Sequence, residues 1–187
     1  TMTRPFLEDS VKVGLFYALL ASYRTFGKIE PARQLLLPHL KRANCWLARR
    51  DRRRGRYDLR TYPYEATLET TWRCNLTCPM CFREQIPPDR LDFLNEQSIP
   101  LEHFKKVADA IFPFVKLVNV SVAGEPLLTP ILDEILEILK RHQCKLEIYT
   151  NITPLTSDRL IDKILPHTAF LRASMDGATK ESFETIR

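Results

Sequence analysis

The order of strand-like and helix-like segments from residue 64 onward restricts the fold more than any other feature of the sequence. The strand-like segments are 64–71, 115–124, 145–151 and 169–177, and 115–124 is rich in β-branched residues. The segments with helical spacing that follow them are 99–112, 129–142, 156–165 and 179–187. Four such units in a row, joined by right-handed crossovers, build either an open doubly wound sheet or a barrel of the (β/α) type. The sequence therefore predicts an α/β fold.

The first sixty residues differ from the rest of the chain in charge and in pattern. Residues 1–60 carry 14 Lys and Arg against 5 Asp and Glu, whereas residues 61–187 carry 14 against 18. Residues 9–26 have the apolar stripe of an amphipathic helix, and a second helix is predicted from Pro31 to about Arg50. We therefore predict a basic, helical N-terminal extension at 1–60 and a core domain at 61–187.

Two further prolines predict helix boundaries. Pro38 lies inside the second helix of the extension and is expected to kink it or to split it in two. Pro130 follows Thr129 at the start of the helix at 129–142, where threonine is a common N-cap and proline a common first residue. Early acidic and late basic residues in that helix also match the direction of its dipole.

The segment RRDRRRGR, residues 49–56, holds six arginines in eight positions. Our first interpretation is a solvated linker that self-repulsion keeps unfolded. The alternative is contact with phosphate, with an anionic membrane surface or with an acidic partner. Nucleic-acid binding is the weaker alternative, because no aromatic residues are interleaved with the arginines and no nucleic-acid-binding motif is recognised.

Three of the five cysteines lie within eight residues, in CNLTCPMC at 74–81. This clustering does not fit a secreted disulfide framework, whereas a metal site in a reducing compartment would keep its thiols available as ligands. No stretch reaches the roughly 18 apolar residues of a transmembrane helix. The early apolar window VGLFYALLA, residues 13–21, lacks the basic start of a signal peptide. We therefore expect a cytoplasmic protein.

Polar residues follow each predicted strand at its C-terminal end. In strand–helix folds of this type, those ends meet on one face and carry the functional groups. The residues in question are Cys74, Cys78, Cys81, Gly124, Glu125, Pro126, Thr150, Asn151, Ser174 and Asp176. Because four such loops converge, the sequence predicts a site there. Alternative structural roles are helix capping for Glu125 and Asn151 and turn formation for Ser174 and Asp176.

Three thiolates leave the fourth ligand of a metal centre open. Structural zinc needs four ligands, but Cys45 lies in the extension and Cys144 precedes the third strand, at the opposite face. A [4Fe–4S] cluster is ligated by cysteine thiolates and could bind a small molecule at its fourth iron. A zinc-binding structural or RNA-interacting module is the alternative.

Four stretches carry a resemblance to a known family. The cysteine spacing of EATLETTWRCNLTCPMC resembles the CxxxCxxC loop of radical S-adenosylmethionine (radical SAM) enzymes, in the branch with molybdenum-cofactor and peptide-modifying members and SPASM or twitch extensions. AGEP at 123–126 is similar to the family's GGEP, with Ala123 in place of the first glycine. YTNITPL at 149–155 is similar to TNGxLL, with Ile152 in place of glycine. LRASMDGATKESFETIR is similar to the SxDGxxxExxxxIR segment.

The resemblance implies a set of cofactors and residue roles. Its cofactors are a [4Fe–4S] cluster held by the catalytic and metal-ligating Cys74, Cys78 and Cys81, and S-adenosylmethionine. The implied cofactor-binding residues are Met80, Phe82, Gly124, Glu125, Pro126, Thr150, Asn151, Ser174 and Asp176. Glu125 is expected to accept the amino group of the methionine moiety. An aromatic residue usually precedes the third cysteine and packs near the adenine, whereas here that residue is Met80.

The resemblance also implies an activity and partners. Reductive cleavage of S-adenosylmethionine would give a 5′-deoxyadenosyl radical that abstracts hydrogen from a peptide or small-molecule substrate. The electron would come from a reductase such as flavodoxin or ferredoxin. The family's core is a partial, TIM-like (β/α) barrel of six units, of which this sequence contains the first four. We therefore expect either that the chain is part of a longer protein or that a partner completes the barrel.

Overall fold

The structure, a computed structural model, describes residues 4–187, except for the side chains of residues 4–8 and of Arg159. Residues 1–3 of the predicted extension therefore lie outside the described residues. The extension forms two helices, α1 (Arg4–Phe26) and α2 (Glu30–Arg53), which pack against each other. Of the two expectations for Pro38, a kink or a split, the split is wrong, because α2 continues through that residue as one helix. No helix in the described part of the chain is long and apolar enough to cross a membrane.

The prediction of an unfolded arginine linker is wrong for residues 49–53, which form the last turn and a half of α2. The self-repulsion on which it rested is partly neutralised by carboxylates. Arg50 pairs with Asp9 of α1 and with the buried Asp51, and Arg54 also pairs with Asp9. Cations also interact favourably with the C-terminal end of a helix dipole. The arginine-rich segment can therefore form the end of α2.

The core contains a four-stranded parallel sheet, as the alternating pattern predicts, and the strand order is β1-β2-β3-β4. Its strands are β1 (Glu65–Thr67), β2 (Leu117–Asn119), β3 (Lys145–Thr150) and β4 (Thr168–Ala173). The first two are shorter than expected, although Leu68 continues the pairing of β1 by donating its N–H to the Asn119 carbonyl. Sequential parallel order is the arrangement of successive units in a (β/α) barrel, so the α/β class with a partial barrel is confirmed.

The helices of the core are α3 (Pro88–Asn95), α4 (Leu101–Ile111), α5 (Leu132–Arg141), α6 (Asp158–Ile164) and α7 (Lys180–Ile186). Sequence analysis missed α3, although a proline in its first turn is a recognisable start signal. The predicted start of α5 is wrong: its N-cap is Ile131, because residues 126–128 form a separate 3-10 helix. Its early acids and late bases are present as expected.

The apolar faces of α4 and α5 cover the sheet and form its core. The largest fully buried side chains there include Phe104, Phe112, Ile135, Leu139, Leu146 and Ile148. In contrast, β4 is exposed along most of its length, and Phe170 and Leu171 lie partly in solvent. An exposed apolar edge strand is a template for pairing with further chain.

A buried lysine joins the extension to the core. Lys41 of α2 is only 3% exposed and donates hydrogen bonds to the carbonyls of His142 and Gln143, which follow the end of α5. Its Nζ also lies 3.3 Å from the Sγ of Cys144. A cation at the C-terminal end of a helix satisfies carbonyls that have no partner within the helix. The basic extension is thus packed on the N-terminal side of β3.

His142 makes the stability of the protein depend on pH. Burial lowers the pKa of His142 from 6.5 to about 4, and Asp109, whose carboxylate lies 3.4 Å from Nε2, offsets this only in part. Between these two pKa values the unfolded chain binds a proton that the folded chain does not, so acidification favours unfolding. We expect the free energy of unfolding in urea to fall by about 2 kcal/mol more between pH 7 and pH 5 in the wild type than in His142→Phe.

Candidate functional site

The loops at the C-terminal ends of the strands enclose a cavity of about 740 Å³. This is within the usual size range of small-molecule sites. All but two of the residues predicted from the sequence line it: Cys74, Cys78, Met80, Cys81, Gly124, Glu125, Thr150, Asn151, Ser174 and Asp176. The other two lie nearby: Phe82 packs edge-on against Trp72, with ring centroids 6.1 Å apart, and Pro126 is buried at the start of its 3-10 helix.

The three clustered cysteines occupy one loop on the cavity wall. Cys78 is only 6% exposed, whereas Cys74 and Cys81 are half-buried, and all three thiols are free. The Cys81 N–H donates to the Cys78 carbonyl at 2.9 Å, which forms the tight turn between them. Within the described part of the chain, no three His, Cys, Asp or Glu side chains form a group that could hold a single metal ion.

Gly124 allows the loop after β2 to pack directly on the chain that leads into the cysteines. A Cβ atom at this position would lie 2.6 Å from the Arg73 carbonyl oxygen and closer still to that of Thr71, both of which are backbone atoms. The next residue, Glu125, donates its N–H to the same Arg73 carbonyl at 2.7 Å. Glycine is therefore required at 124, whereas the alanine at 123 is accommodated.

Glu125 is the centre of the hydrogen-bond network in the cavity. Its side chain is buried, with 2% of the residue exposed, and it accepts hydrogen bonds from the Thr150 hydroxyl and the Asn151 N–H, both at 2.8 Å. It also caps the 3-10 helix by accepting the Leu127 N–H at 3.2 Å. The capping alternative is thus present, but on the short 3-10 helix and not on α5. A carboxylate has about four acceptor positions, so one is left for a ligand.

A pair of asparagines links the loop after β3 to the cysteine loop. The Asn151 side-chain amide donates to the Asn75 side-chain oxygen at 3.0 Å and lies 4.0 Å from the Cys74 sulfur. Asn75 in turn donates to the Thr153 hydroxyl at 2.7 Å. The Asn151 oxygen accepts the Thr153 N–H and so closes a local turn, and the helix-capping role considered for Asn151 is wrong, because the next helix begins only at Asp158. Asn151 therefore makes both a local turn and a contact between loops.

Ile152 adopts a left-handed backbone conformation, with φ of 59°. This conformation is uncommon for β-branched residues and costs roughly 1–2 kcal/mol relative to glycine. We expect Ile152→Gly to be about 1 kcal/mol more stable than Ile152→Ala in urea unfolding, because both variants remove the same contacts and only glycine relieves the strain. At an ordinary position the order of glycine and alanine would be reversed, and that order at 152 would contradict the prediction.

Arg187 connects the end of the sheet to the cysteine loop. Its guanidinium pairs with Asp176 and donates to the Cys78 sulfur at 3.6 Å. Gly177 permits this arrangement, because a Cβ there would lie 2.6 Å from backbone atoms of α7, which folds back over the loop. Ser174 donates its N–H to the Thr150 carbonyl and so extends the pairing of β3 and β4 to the cavity.

The polar residues of the site that sequence analysis did not identify include Asn75, Arg83 and Arg187. Asn75 and Arg187 lie inside the stretches that carry the family resemblance, but neither was assigned a role. Arg83 is buried, lines the cavity and pairs with Asn95 of α3, an element that was also missed. The signal available in the sequence was the position of Arg83, two residues after Cys81. Its burial, which is rare for an arginine without a partner, is seen only in the structure.

Comparison with known proteins gives two curated relatives. Over 126 residues, 67% of this chain, the sequence is 30% identical to the antilisterial bacteriocin subtilosin biosynthesis protein AlbA of Bacillus subtilis. Over 95 residues it is 33% identical to the tungsten-containing aldehyde ferredoxin oxidoreductase cofactor-modifying protein of Pyrococcus furiosus. The matches span only 27% and 25% of these relatives' lengths. No protein-family model matches the chain.

Two solved structures superpose on part of this chain. Streptococcus suis SuiB, bound to the precursor peptide SuiA, superposes with a TM-score of 0.49 at 18% identity, covering 80% of this chain and 32% of SuiB. An open conformation of BtrN superposes with a TM-score of 0.49 at 19% identity, covering 66% of this chain and 55% of BtrN.

Proposed function

Because the chain belongs to the radical SAM superfamily, we propose that its cavity holds a [4Fe–4S] cluster and S-adenosylmethionine in a radical enzyme. The observation that carries this proposal is that three free thiols and the buried carboxylate of Glu125 line one cavity. Thiolates are the ligands of iron–sulfur clusters, and a carboxylate suits a ligand ammonium. The donor set therefore fits both groups.

When bound, the cluster and S-adenosylmethionine would supply one-electron radical chemistry for abstracting hydrogen from a substrate. The chain supplies ligands and orientation. Cys74, Cys78 and Cys81 hold the cluster on their loop. Glu125 uses its remaining acceptor position for the amino group of the methionine moiety. Its three hydrogen bonds to the protein fix the direction of the carboxylate, so little ordering is needed when the ligand arrives.

The remaining lining residues are proposed to position the nucleoside and the methionyl chain. Ser174 and Asp176 lie at the end of β4, where the ribose and methionyl part would be reached. Thr150 and Asn151 support Glu125 and link it to the cysteine loop. Met80 is exposed on the cavity wall and would contact the adenine with its flexible thioether, with Phe82 beside it; Gly124 and Pro126 set the backbone course around Glu125.

We further propose the organisation and setting of the protein. Residues 61–187 form the first four units of a radical SAM core, and the preceding segment, described from residue 4, is a helical extension packed on it. A reductase such as flavodoxin or ferredoxin would supply the electron. All five cysteines are free, which suits a reducing, cytoplasmic compartment.

The substrate class is proposed from the relatives alone. One relative is named for biosynthesis of a bacteriocin and the other for modification of an oxidoreductase cofactor. A peptide and a small metabolite are therefore both candidates.

The test is anaerobic reconstitution with iron and sulfide, followed by reduction with dithionite in the presence of S-adenosylmethionine. We expect a brown protein and the formation of 5′-deoxyadenosine. The Glu137→Ala variant, altered on the exposed face of α5, serves as a control that retains both properties. A colourless protein that carries one zinc ion would overturn the proposal.

A further inference from the structure

A second cavity lies at the opposite end of the sheet from the cysteines. It has a volume of about 320 Å³ and is lined by α2 and by Lys116, which immediately precedes β2. Because the strands are parallel, a residue before β2 lies at the N-terminal end of the sheet, whereas the cysteine loop follows the C-terminal end of β1. The two cavities are therefore separate, and nothing proposed above uses this one.

We call this second cavity the basic cavity, because five of its seven lining residues are cationic. Its residues are Arg42, Cys45, Trp46, Arg49, Arg50, Arg53 and Lys116. Arg42, Trp46, Arg49 and Arg53 follow steps of four, three and four along α2, so they share one face of the helix. The basic cavity thus results from helical spacing within the arginine-rich run and not from an unfolded charge cluster.

Most of these positive charges lack a partner in the part of the chain that the structure describes. Arg50 is neutralised by Asp9 and Asp51 and lies over the Trp46 ring. Among the described residues, none of the other four cations of the basic cavity, Arg42, Arg49, Arg53 and Lys116, forms an ion pair. Elsewhere in the extension, carboxylates do pair with arginines. Four unpaired cations around one concavity repel one another, and a multiply charged anion would remove that repulsion.

We propose that the basic cavity binds a phosphate-bearing ligand with at least two negative charges. Guanidinium groups match phosphate oxygens with paired, charge-assisted hydrogen bonds, and three of the four unpaired cations are arginines. The concavity is small, which favours a compact phosphate group over an extended strand of nucleic acid. The phosphate belongs either to a free polyphosphate compound or to an anionic lipid headgroup.

The backbone around the basic cavity is well anchored. Lys116 donates its N–H to the Tyr64 carbonyl and accepts the Lys145 N–H on its own carbonyl, both at 2.8 Å. Asn44 of α2 exchanges two hydrogen bonds with the Tyr62 backbone, each 3.0 Å long, and Lys41 joins the helix to the end of α5. The cations therefore sit on a fixed scaffold, so binding requires only the ordering of their side chains.

The first experiment titrates the chain with sodium tripolyphosphate in 150 mM NaCl by isothermal calorimetry. We expect one saturable site per chain, and about ten-fold weaker binding in Arg49→Gln and in Arg53→Gln, because each removes one charged donor. Arg52→Gln is the matched control: it lies on the same helix but does not line the basic cavity, and we expect less than a two-fold change. Unchanged thermal melting of the free variants separates lost binding from lost folding.

A second experiment distinguishes the two sources of phosphate. The chain is sedimented with vesicles that contain phosphatidic acid, whose phosphate monoester carries up to two negative charges, in the presence and absence of tripolyphosphate. If the source is a lipid headgroup, the chain binds the vesicles, Arg53→Gln weakens that binding, and tripolyphosphate displaces it. Tripolyphosphate binding without vesicle binding identifies a free phosphate compound. The proposal is overturned if tripolyphosphate does not bind, if Arg52→Gln and Arg53→Gln weaken binding equally, or if a single-stranded RNA binds and the phosphate probe does not.

Discussion

Replacing Cys78 by alanine is expected to abolish the brown colour of the reconstituted protein and to reduce its iron content from about four atoms per chain to a small residual amount. Cys78 is the most buried of the three clustered cysteines and lies at the centre of their loop. Two remaining thiolates cannot wrap a cluster from one side. Iron and sulfide analysis, together with the visible spectrum, measures the loss directly.

The matched control is Cys45→Ala, which removes an equally buried thiol from α2 in the extension. We expect this variant to keep its iron and its colour. Cys74→Ala and Cys81→Ala should behave like Cys78→Ala, because the proposal assigns one iron to each thiolate. Full iron content in any of these three variants would contradict the assignment. If the wild type instead carries one zinc ion per chain and all three variants lose it, the zinc-binding alternative is favoured.

The order of the core could be predicted from the sequence because strand and helix leave different periodicities. The segment 145–151 alternates polar with apolar residues and the segment 129–142 has a clear apolar stripe, and the structure contains β3 and α5 in those places. Parallel pairing follows from the intervening helices, since each helix returns the chain to the end of the sheet at which the previous strand began. Local patterns thus predicted parallel strands but left both a doubly wound sheet and a barrel possible, and the structure shows the order β1-β2-β3-β4.

Helix ends and the charge run could not be predicted in the same way. α2 continues through Pro38 and into the arginine run because tertiary contacts hold it, namely Lys41 against the end of α5 and Arg50 against Asp9. Local signals contain no information about such distant partners. The start of α5 shifted for the same reason: the Glu125 carboxylate caps residues 126–128 first, and this carboxylate is itself held by Thr150 and Asn151.

The candidate site was accessible to sequence reasoning where residue type alone carries the chemistry. Thiols, a carboxylate and a glycine that a close backbone contact requires, such as Gly124, can be recognised in a motif. The strain at Ile152 and the contact of Arg187 with Cys78 depend on how loops meet in space. From the sequence, Ile152 in place of the motif's glycine shows only that the residue differs, and not which backbone conformation it adopts. The backbone angle shows that the left-handed conformation was kept.

Replacing Glu125 by alanine is expected to lower the free energy of unfolding by about 4 kcal/mol, a large part of the 5–15 kcal/mol typical of a folded domain. The carboxylate is buried and is the acceptor for the Asn151 N–H, the Thr150 hydroxyl and the Leu127 N–H. Without it, these donors lie buried without an acceptor, and the link between β3 and the loop after β2 is lost. Urea unfolding of the unreconstituted protein measures the change.

Glu125→Gln separates stability from ligand binding. The glutamine oxygen can still accept from Thr150 and Leu127, but its amide group then faces the Asn151 N–H, so we expect a smaller loss of about 2 kcal/mol. The folded variant should bind S-adenosylmethionine at least about ten-fold more weakly in equilibrium dialysis, because a neutral amide cannot make a charge-assisted bond to the ammonium group. Glu137→Gln on α5 should change neither quantity. If Glu125→Gln loses stability but keeps the affinity, the residue is a structural cap only.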